Sequence, residues 1–520
     1  MPEDGLAGLH YHWKDDVLSG FLVFLIALPL SLGIAMASGF PPFAGLITAM
    51  VGGLVVSPMM GSRVSIKGPA AGLISIAAMA ISELGNGNMA EGYPRVLAVV
   101  LLVGFIQVVL GALKMGKWVD LFPTSAVHGM LAAIGIIILS KQLPVLLGVQ
   151  PVGKKPLELI FELPQWLLHM DFQVAAVGGS SLALLILWNV LPQGTVKKIP
   201  APLLVLVLSV GLGHLLHLEP GRKVALPDTF LSGFVFPDFT KIFDSSTWLY
   251  VVMFALVGSL ETLLTVKAVD GLDPFHRRSN SNKDLVAVGV GNAVSGLLGG
   301  LPMIAEVVRS SANINNGAKT RWSNFFHGLF LLSFVALLPQ ILEMVPLSAL
   351  AALLVFTGYR LASPALFAAT ARIGWDQLVV FLATIAFTLV EDLLVGIFVG
   401  TLLELVLQLV QGVPLSQLFN IRVQKDFSDN QVDVTITGNL GFGSLVKLER
   451  MLQNIPSSNK VFLHIDKSLR VDHSAMEFIH RVEREYERAG GHLTVVGMDQ
   501  FKQVSRHALA TRKNFNIKTK

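Results

Sequence analysis

Arg309 is followed by Ser310 and Ser311 and preceded by the run Met303-Ile304-Ala305-Glu306-Val307-Val308. That run is apolar and β-branched, so it reads as extended backbone with a helix opening at its end. A second run, Ser62-Arg63-Val64-Ser65-Ile66-Lys67, leads into Gly68-Pro69-Ala70-Ala71, where the proline suits the first turn of a helix. The first N–H groups of a helix have no partner inside it and the macrodipole is positive there, so helix starts bind anions. Two such starts facing each other, near Ala70-Ala71 and near Val308-Arg309, make an anion site built mainly of backbone. Arg309 adds a fixed cation and Ser310 or Ser311 a hydroxyl. Lys67 and Glu306 either pair across this site or face the anion. The competing reading of Arg309 is an ion pair with Glu306 that only holds the fold.

Glu261 lies inside an otherwise apolar stretch. A carboxylate at membrane depth costs ~3 kcal/mol or more unless it is paired or protonated, so a functional role is the default. Thr265, one turn on, shares its helix face and can offer a hydroxyl to a cation. The structural alternative is a salt bridge to Lys67 or Arg309. With Glu261, Glu306, Lys67 and Arg309 all charged, the group is neutral, and an added anion would leave uncompensated charge in a low-dielectric setting. A coupling ion removes that cost: sodium on Glu261 and Thr265, or a proton on Glu306 as one of two crowded carboxylates. No cofactor or other metal is implied. His128, His214 and His327 stand singly, without metal-ligand spacing, and read as structural. Gly33, Gly52, Gly53, Gly104, Gly111, Gly289, Gly291 and Gly296 read as sites of close helix contact. There is no cysteine, and no nucleophile–base pair or phosphate loop that would indicate an enzyme.

The elements that must position these residues span a membrane. Charged residues make up 14% of the chain and hydrophobic ones 53%, against roughly 25% charged in soluble domains. Apolar windows long enough to cross a bilayer recur up to residue 413. They fall near 17–38, 42–60, 68–83, 96–114, 121–140, 172–191, 200–217, 247–267, 284–299, 306–317, 323–343, 346–360, 376–391 and 393–412. The first is too long for a signal-peptide core and reads as a span. An even number of spans puts both termini on one side. With the N-terminus inside, Lys114, Lys117, Lys197, Lys198, Arg277, Arg278, Lys283, Lys319, Arg321, Arg360 and Arg372 fall in cytoplasmic connections, as the positive-inside rule requires. The two segments that follow extended runs are the third and tenth, seven apart, so a second seven-span copy runs upside down through the bilayer. Paired broken helices in inverted halves point to a transport site near the midplane. The small net charge of +4 is explained by this loop bias and does not suggest nucleic acid.

Beyond residue 414 the composition becomes that of a soluble domain. A linker over 414–429 precedes an alternating strand at 432–437, a helix at 444–455, a strand at 460–466, a helix at 474–489 and a strand at 492–496. This is a small α/β domain over 430–520.

Several motifs carry a family resemblance. Leu28-Pro29-Leu30-Ser31-Leu32-Gly33-Ile34-Ala35 is similar to the first-helix motif of the SulP (sulfate permease) family, and Ser65-Ile66-Lys67-Gly68-Pro69 to the strand entering its third helix. Gly258-Ser259-Leu260-Glu261-Thr262-Leu263-Leu264 resembles its eighth-helix acidic motif. Gly299-Gly300-Leu301-Pro302, Arg309-Ser310 and Asn316-Gly317-Ala318-Lys319-Thr320 resemble its tenth-helix region. The tail resembles a STAS domain, and Ser474 stands where that domain carries a phosphorylatable serine, although it reads equally as a helix N-cap. The resemblance implies fourteen segments in two inverted repeats, with a core (spans 1–4 and 8–11) moving against a gate (5–7 and 12–14) in an elevator-like way. It implies a homodimer in the bacterial inner membrane, the N-terminus and tail being cytoplasmic. It also implies that the substrate is a small inorganic anion. Leu30 replaces a glutamine of sulfate-type members, which favours bicarbonate over sulfate, chloride or a dicarboxylate. Glu306 replaces the small hydroxyl residue of sodium-dependent bicarbonate members, leaving sodium or protons as the coupling ion. A reading of another class is a membrane-anchored sensor with the STAS-like domain as output, which tracer uptake into proteoliposomes separates from a transporter.

Overall fold

The computed structural model describes the chain except for Met1, Asp4, 117–120, Lys154, 192–198, His276, Asp392, 429–430, 453–454, 456–459, Ala489 and 515–520. Lys117, Lys197 and Lys198, placed above in cytoplasmic connections, lie outside the described residues, as does Ala489 at the end of the second tail helix.

The first half of the membrane part runs α1 (Gly5–Ala37), α2 (Pro42–Val51), α3 (Ile74–Leu84), α4 (Met89–Ala112), α5 (Thr124–Leu147), α6 (Pro156–Leu168), α7 (Phe172–Val190) and α8 (Ala201–Leu215). The second half runs α9 (Ser245–Leu272), α10 (Ser281–Leu298), α11 (Val307–Asn315), α12 (Trp322–Leu337), α13 (Pro339–Glu343), α14 (Leu347–Leu361), α15 (Pro364–Ile373), α16 (Trp375–Val390) and α17 (Leu393–Val410). Among the described residues, seven helical stretches are long and apolar enough to cross a membrane, and shorter apolar helices accompany them. Leaving aside the short connecting helices α6, α13 and α15, which sequence periodicity does not resolve, the others correspond one to one with the fourteen expected spans. α1 starts at Gly5, well ahead of the span expected at 17, because the more polar, mostly exposed segment before the apolar window continues the same helix.

The chain forms two compact units, the first made of Met1–Gly116 and Ile134–Arg360. Glycines set its closest packing. A Cβ on Gly104 would fall 2.4 Å from the Ala293 nitrogen, and one on Gly296 would fall 2.8 Å from the Leu101 nitrogen, so α4 and α10 touch backbone to backbone. Gly53 does the same against Gly328 of α12. Just before that contact, α2 passes into a π-helical turn over Gly52–Val56, and Asn324 donates to the Gly52 carbonyl at 2.9 Å, satisfying an oxygen at the altered turn. Asp16 is fully buried in α1 and accepts from the N–H groups of Lys319 and Thr320 at 2.8 and 3.0 Å. It thereby occupies the unpaired amides ahead of α12.

The extended runs meet. β1 (Ile66–Pro69) pairs antiparallel with β2 (Met303–Glu306), Ile66 opposite Glu306 and Pro69 opposite Met303. β1 is therefore later in the chain than the expected 62–67, and Pro69 ends a strand where the sequence suggested a first helical turn. A single 3-10 turn over Ala71–Leu73 then leads into α3. At the other strand the expectation of a helix opening beside Arg309 is met, with α11 starting at Val307. The connection from α10 to β2 turns on Gly299, whose φ of 96° suits glycine.

The second unit comprises Lys117–Ala133 and Leu361–Lys520. Its tail contains β3 (Ile421–Ser428), β4 (Gln431–Leu440), α18 (Leu445–Leu452), β5 (Lys460–His464), β6 (Ser468–Val471), α19 (His473–Arg488), β7 (His492–Val496), β8 (Phe501–Gln503) and β9 (Arg512–Asn514). The sheet order is β7-β5-β4-β6-β9-β8, with β3 added to β4. Residues 421–428, read above as linker, are thus a strand paired along its whole length with β4. α18 and α19 pack apolar faces on the sheet through Leu445, Leu448, Leu452, Met476, Ile479 and Val482.

Candidate functional site

Side chains from three helices hold the strand crossing in place. Asn292 of α10 clamps Met303, its Nδ2 donating to the carbonyl at 3.1 Å and its Oδ1 accepting the N–H at 2.6 Å. Asn313 of α11 donates to the Val64 carbonyl at 2.8 Å and accepts from Ser19 of α1 at 2.7 Å. Thr262 of α9 accepts the Ala305 N–H at 3.4 Å. Strand backbone at this depth has no water to bond, so each of these groups supplies what a neighbouring strand otherwise would.

Arg309 is fully buried, and among the described residues its Nε, Nη1 and Nη2 have no hydrogen-bond partner. Its guanidinium lies over β1: a Cβ on Gly68 would come 2.4 Å from Nη1. Glu306, at the start of α11, acts on it electrostatically. No side chain caps the α11 start, so the amides of Val307, Val308 and Arg309 remain beyond the reach of intrahelical bonds.

The other helix start is differently arranged. The Ala70 N–H donates to the Pro302 carbonyl at 3.0 Å, so that amide belongs to the strand pair and cannot bind an anion as expected. The next amide, Ala71, faces the Glu306 carboxyl. Glu261 reaches the same turn: a Cβ on Gly72 would fall 1.6 Å from Glu261 Oε1. Only glycine at 72 lets that carboxyl approach. Glu306 acts electrostatically on Glu261, and Glu261 Oε2 and Glu306 Oε1 are buried without hydrogen-bond partners among the described residues. The start of α3 therefore faces two carboxyls, while the start of α11 faces an unpartnered guanidinium. Thr265 is buried on α9 with Glu261.

Two expected site residues have other work. Ser310 accepts the Ile66 N–H at 2.8 Å and donates its only proton to the Glu306 carbonyl at 2.5 Å. It ties β1 to α11 and has no donor left for an anion. Lys67 does not pair with Glu306. Its Nζ meets Asp284 Oδ2 at 2.5 Å with both side chains fully buried, and Asp284 Oδ1 accepts from the Gly61 and Ser62 amides at 3.0 Å. Sequence reasoning misses Asp284 because an acidic residue in a first helical turn is ordinary. Removing one member of a buried pair strands the other, so Lys67→Met is expected to cost ~3–5 kcal/mol. A large fall in the thermal unfolding midpoint of the purified protein checks this; a midpoint within about one degree of wild type contradicts it. Gly72 carries no sequence signal. His327, fully buried with both ring nitrogens unpartnered, stands near enough to Arg309 to feel its charge. Its single occurrence in an apolar span suggests only a packing role.

In the second unit, Ser474 is 7% exposed and its Oγ accepts the Thr124 N–H at 3.0 Å, where α5 begins. Asp472, ahead of it, accepts the Ala475 N–H at 2.8 Å and supplies the side-chain cap of α19.

The sequence matches a known family. Residues 13–384 fit the sequence profile described as the Sulfate permease family. The chain belongs to that family. As a sulfate permease family member it is a transporter of inorganic anions and an integral membrane protein, not an enzyme, and its tail fits a STAS domain. YvdB of Bacillus subtilis strain 168, named for sulfate transport, is 27% identical over 502 residues, covering 94% of this chain and 92% of its own. The bicarbonate transporter BicA of Picosynechococcus is 26% identical, covering 80% of this chain and 74% of that protein. In fold, this sulfate permease family member is similar to the transmembrane domain of a cyanobacterial bicarbonate transporter BicA, with a TM-score of 0.65 at 22% identity over 76% of this chain and 97% of that one. SLC26A9 gives a TM-score of 0.69 at 14% identity over 94% and 85%.

Proposed function

We propose that the protein is a secondary active transporter of a small inorganic anion, with bicarbonate as first substrate and sodium or protons as coupling ion. The observation that carries this reading is Arg309, a fully buried guanidinium with no hydrogen-bond partner among the described residues, at an uncapped helix start. Leaving a buried cation unpaired is costly, and an anion bound there supplies its partner. Asp284 neutralises Lys67, so the site's own charges are Arg309, Glu261 and Glu306. Ionised together they sum to one negative charge. An anion then enters only with at least one cation on the carboxyls. Transport proceeds by an elevator-like movement of spans 1–4 and 8–11 against 5–7 and 12–14. The protein works as a homodimer in the bacterial inner membrane, with its N-terminus and STAS domain in the cytoplasm.

The test is uptake of labelled bicarbonate, sulfate and chloride into proteoliposomes, each with and without a sodium gradient and a pH gradient. Bicarbonate uptake is expected to rise severalfold with one of the two gradients. Gradient-driven sulfate uptake without bicarbonate uptake would assign the substrate that the similarity to YvdB favours. Equal uptake in all gradients would rule out coupling at the two carboxyls.

A further inference from the structure

Away from the anion site, a buried cluster joins α16 and α17 to the STAS sheet, and it holds more acid than base. Asp376 lies at the start of α16, Glu404 in α17, Arg470 in β6 and Asp472 just after β6, and each is at most 1% exposed. Arg470 Nη2 donates to Glu404 Oε1 at 3.2 Å and stands 4.0 Å from Asp376 Oδ2. Gln377 Nε2 bridges Asp376 Oδ2 and Glu404 Oε2 at 3.1 and 3.3 Å. Gln408 Nε2 bridges Glu404 Oε1 and Asp472 Oδ2 at 3.4 and 3.3 Å. The Phe442 N–H also donates to Asp472 Oδ2, at 2.8 Å. One guanidinium thus stands against two carboxyls and acts on a third, Asp472, through its charge, and among the described residues Asp376 Oδ1 is buried with no hydrogen-bond partner.

With all four groups ionised, the cluster would bury two uncompensated negative charges. Amide donors soften that cost without cancelling it. The other titratable groups nearby are His473, which acts on Asp472 and whose Nδ1 is 2.9 Å from the Leu509 carbonyl, and His128 of α5 facing Glu477 of α19. Both histidines sit at the α19 side and neither bonds to Asp376 or Glu404.

We propose that Asp376, Glu404, Asp472 and Arg470 form a proton-binding site that latches the STAS domain onto α16 and α17, closed when protonated and loosened when deprotonated. Burial pushes the Asp472 carboxyl above the ordinary carboxylate range, in line with this. The sign follows from linkage. Undocked, the Asp472 carboxyl stands in water and releases its proton at ordinary carboxylate pH; docked, the cluster as a unit holds a proton to higher pH. Docking is therefore complete at low pH and is lost as pH rises through the titration of the docked cluster, which titrates as a unit.

Because the chain has no cysteine, two can be introduced without background. Spin labels at Ala368→Cys in α15 and Thr494→Cys in β7, both exposed positions, report the separation in full-length protein held in nanodiscs. Between pH 6 and 9 the distance distribution is expected to change from one narrow peak to a longer, broader population. The ratio of the two should change by up to about tenfold per pH unit, as for release of one proton. Glu404→Gln and Asp376→Asn keep shape and remove charge, so the narrow peak should persist to pH 9 in one or both. A distribution unchanged across this range in the wild type overturns the proposal. So does an undiminished pH response in both variants.

Discussion

Arg309→Ala is expected to raise the apparent KM for the anion roughly 10- to 100-fold, while the protein still folds and inserts. Hydrogen bonds to a charged group are worth ~1.5–3 kcal/mol, and ~1.4 kcal/mol is tenfold in affinity. Arg309→Lys should recover little, because an ammonium on a flexible stem does not reproduce a guanidinium held over Gly68. Stability separates this role from a structural one. The three guanidinium nitrogens have no hydrogen-bond partner among the described residues, so Arg309→Met, which keeps volume and deletes the buried charge, should leave the unfolding midpoint unchanged or higher. A structural ion pair with Glu306 predicts the reverse, a marked drop in midpoint. Concentration-dependent uptake in proteoliposomes and thermal unfolding of the same preparations check both. Wild-type KM in Arg309→Met would remove this residue from the site.

The residues differ in how far their surroundings can be read from sequence. Arg309 and Glu261 are legible because ionisable groups in apolar windows are few and expensive, and each needs a reason. The second broken helix is legible because a β-branched run meets polar residues at a helix start. The first is misplaced by a few residues because Gly68-Pro69 suits either a strand end or a first helical turn, and only the pairing with Met303 and Ile304 decides between them. Asp284, Gly72 and the Ala70 amide are not legible at all. Their roles depend on groups more than a hundred residues away in sequence, and nothing in their own neighbourhoods records it. In the tail, β4, β5, β7, α18 and α19 follow from periodicity. β8 and β9 are three residues long, too short for alternation to show. β3 is hidden because much of its length is polar and exposed, leaving Ile421 as its one buried apolar anchor.

The turn that opens α3 gives the second large effect. Glu261→Gln keeps the shape of the side chain and removes its ability to hold a cation. It is expected to abolish the dependence of uptake on the coupling ion, leaving a rate near that of protein-free vesicles. Gly72→Ala tests the same carboxyl by geometry. The added methyl would lie 1.6 Å from Glu261 Oε1, so the carboxyl must swing away from the turn it shares with Glu306. Neither charge nor hydrogen-bonding capacity is deleted, yet the two carboxyls no longer share one cation. Gly72→Ala should therefore require a severalfold higher sodium or proton concentration for half-maximal uptake, with a smaller change in anion KM than Arg309→Ala produces. The coupling ion decides the form of the curve. With protons, wild-type uptake falls as the external pH rises and Glu261→Gln is flat. With sodium, the wild type saturates with sodium at fixed pH and Glu261→Gln does not respond. Uptake by Glu261→Gln that keeps its wild-type dependence on both ions would show that coupling lies elsewhere, and a Gly72→Ala cation response equal to wild type would show that the approach of Glu261 to α3 has no part in it.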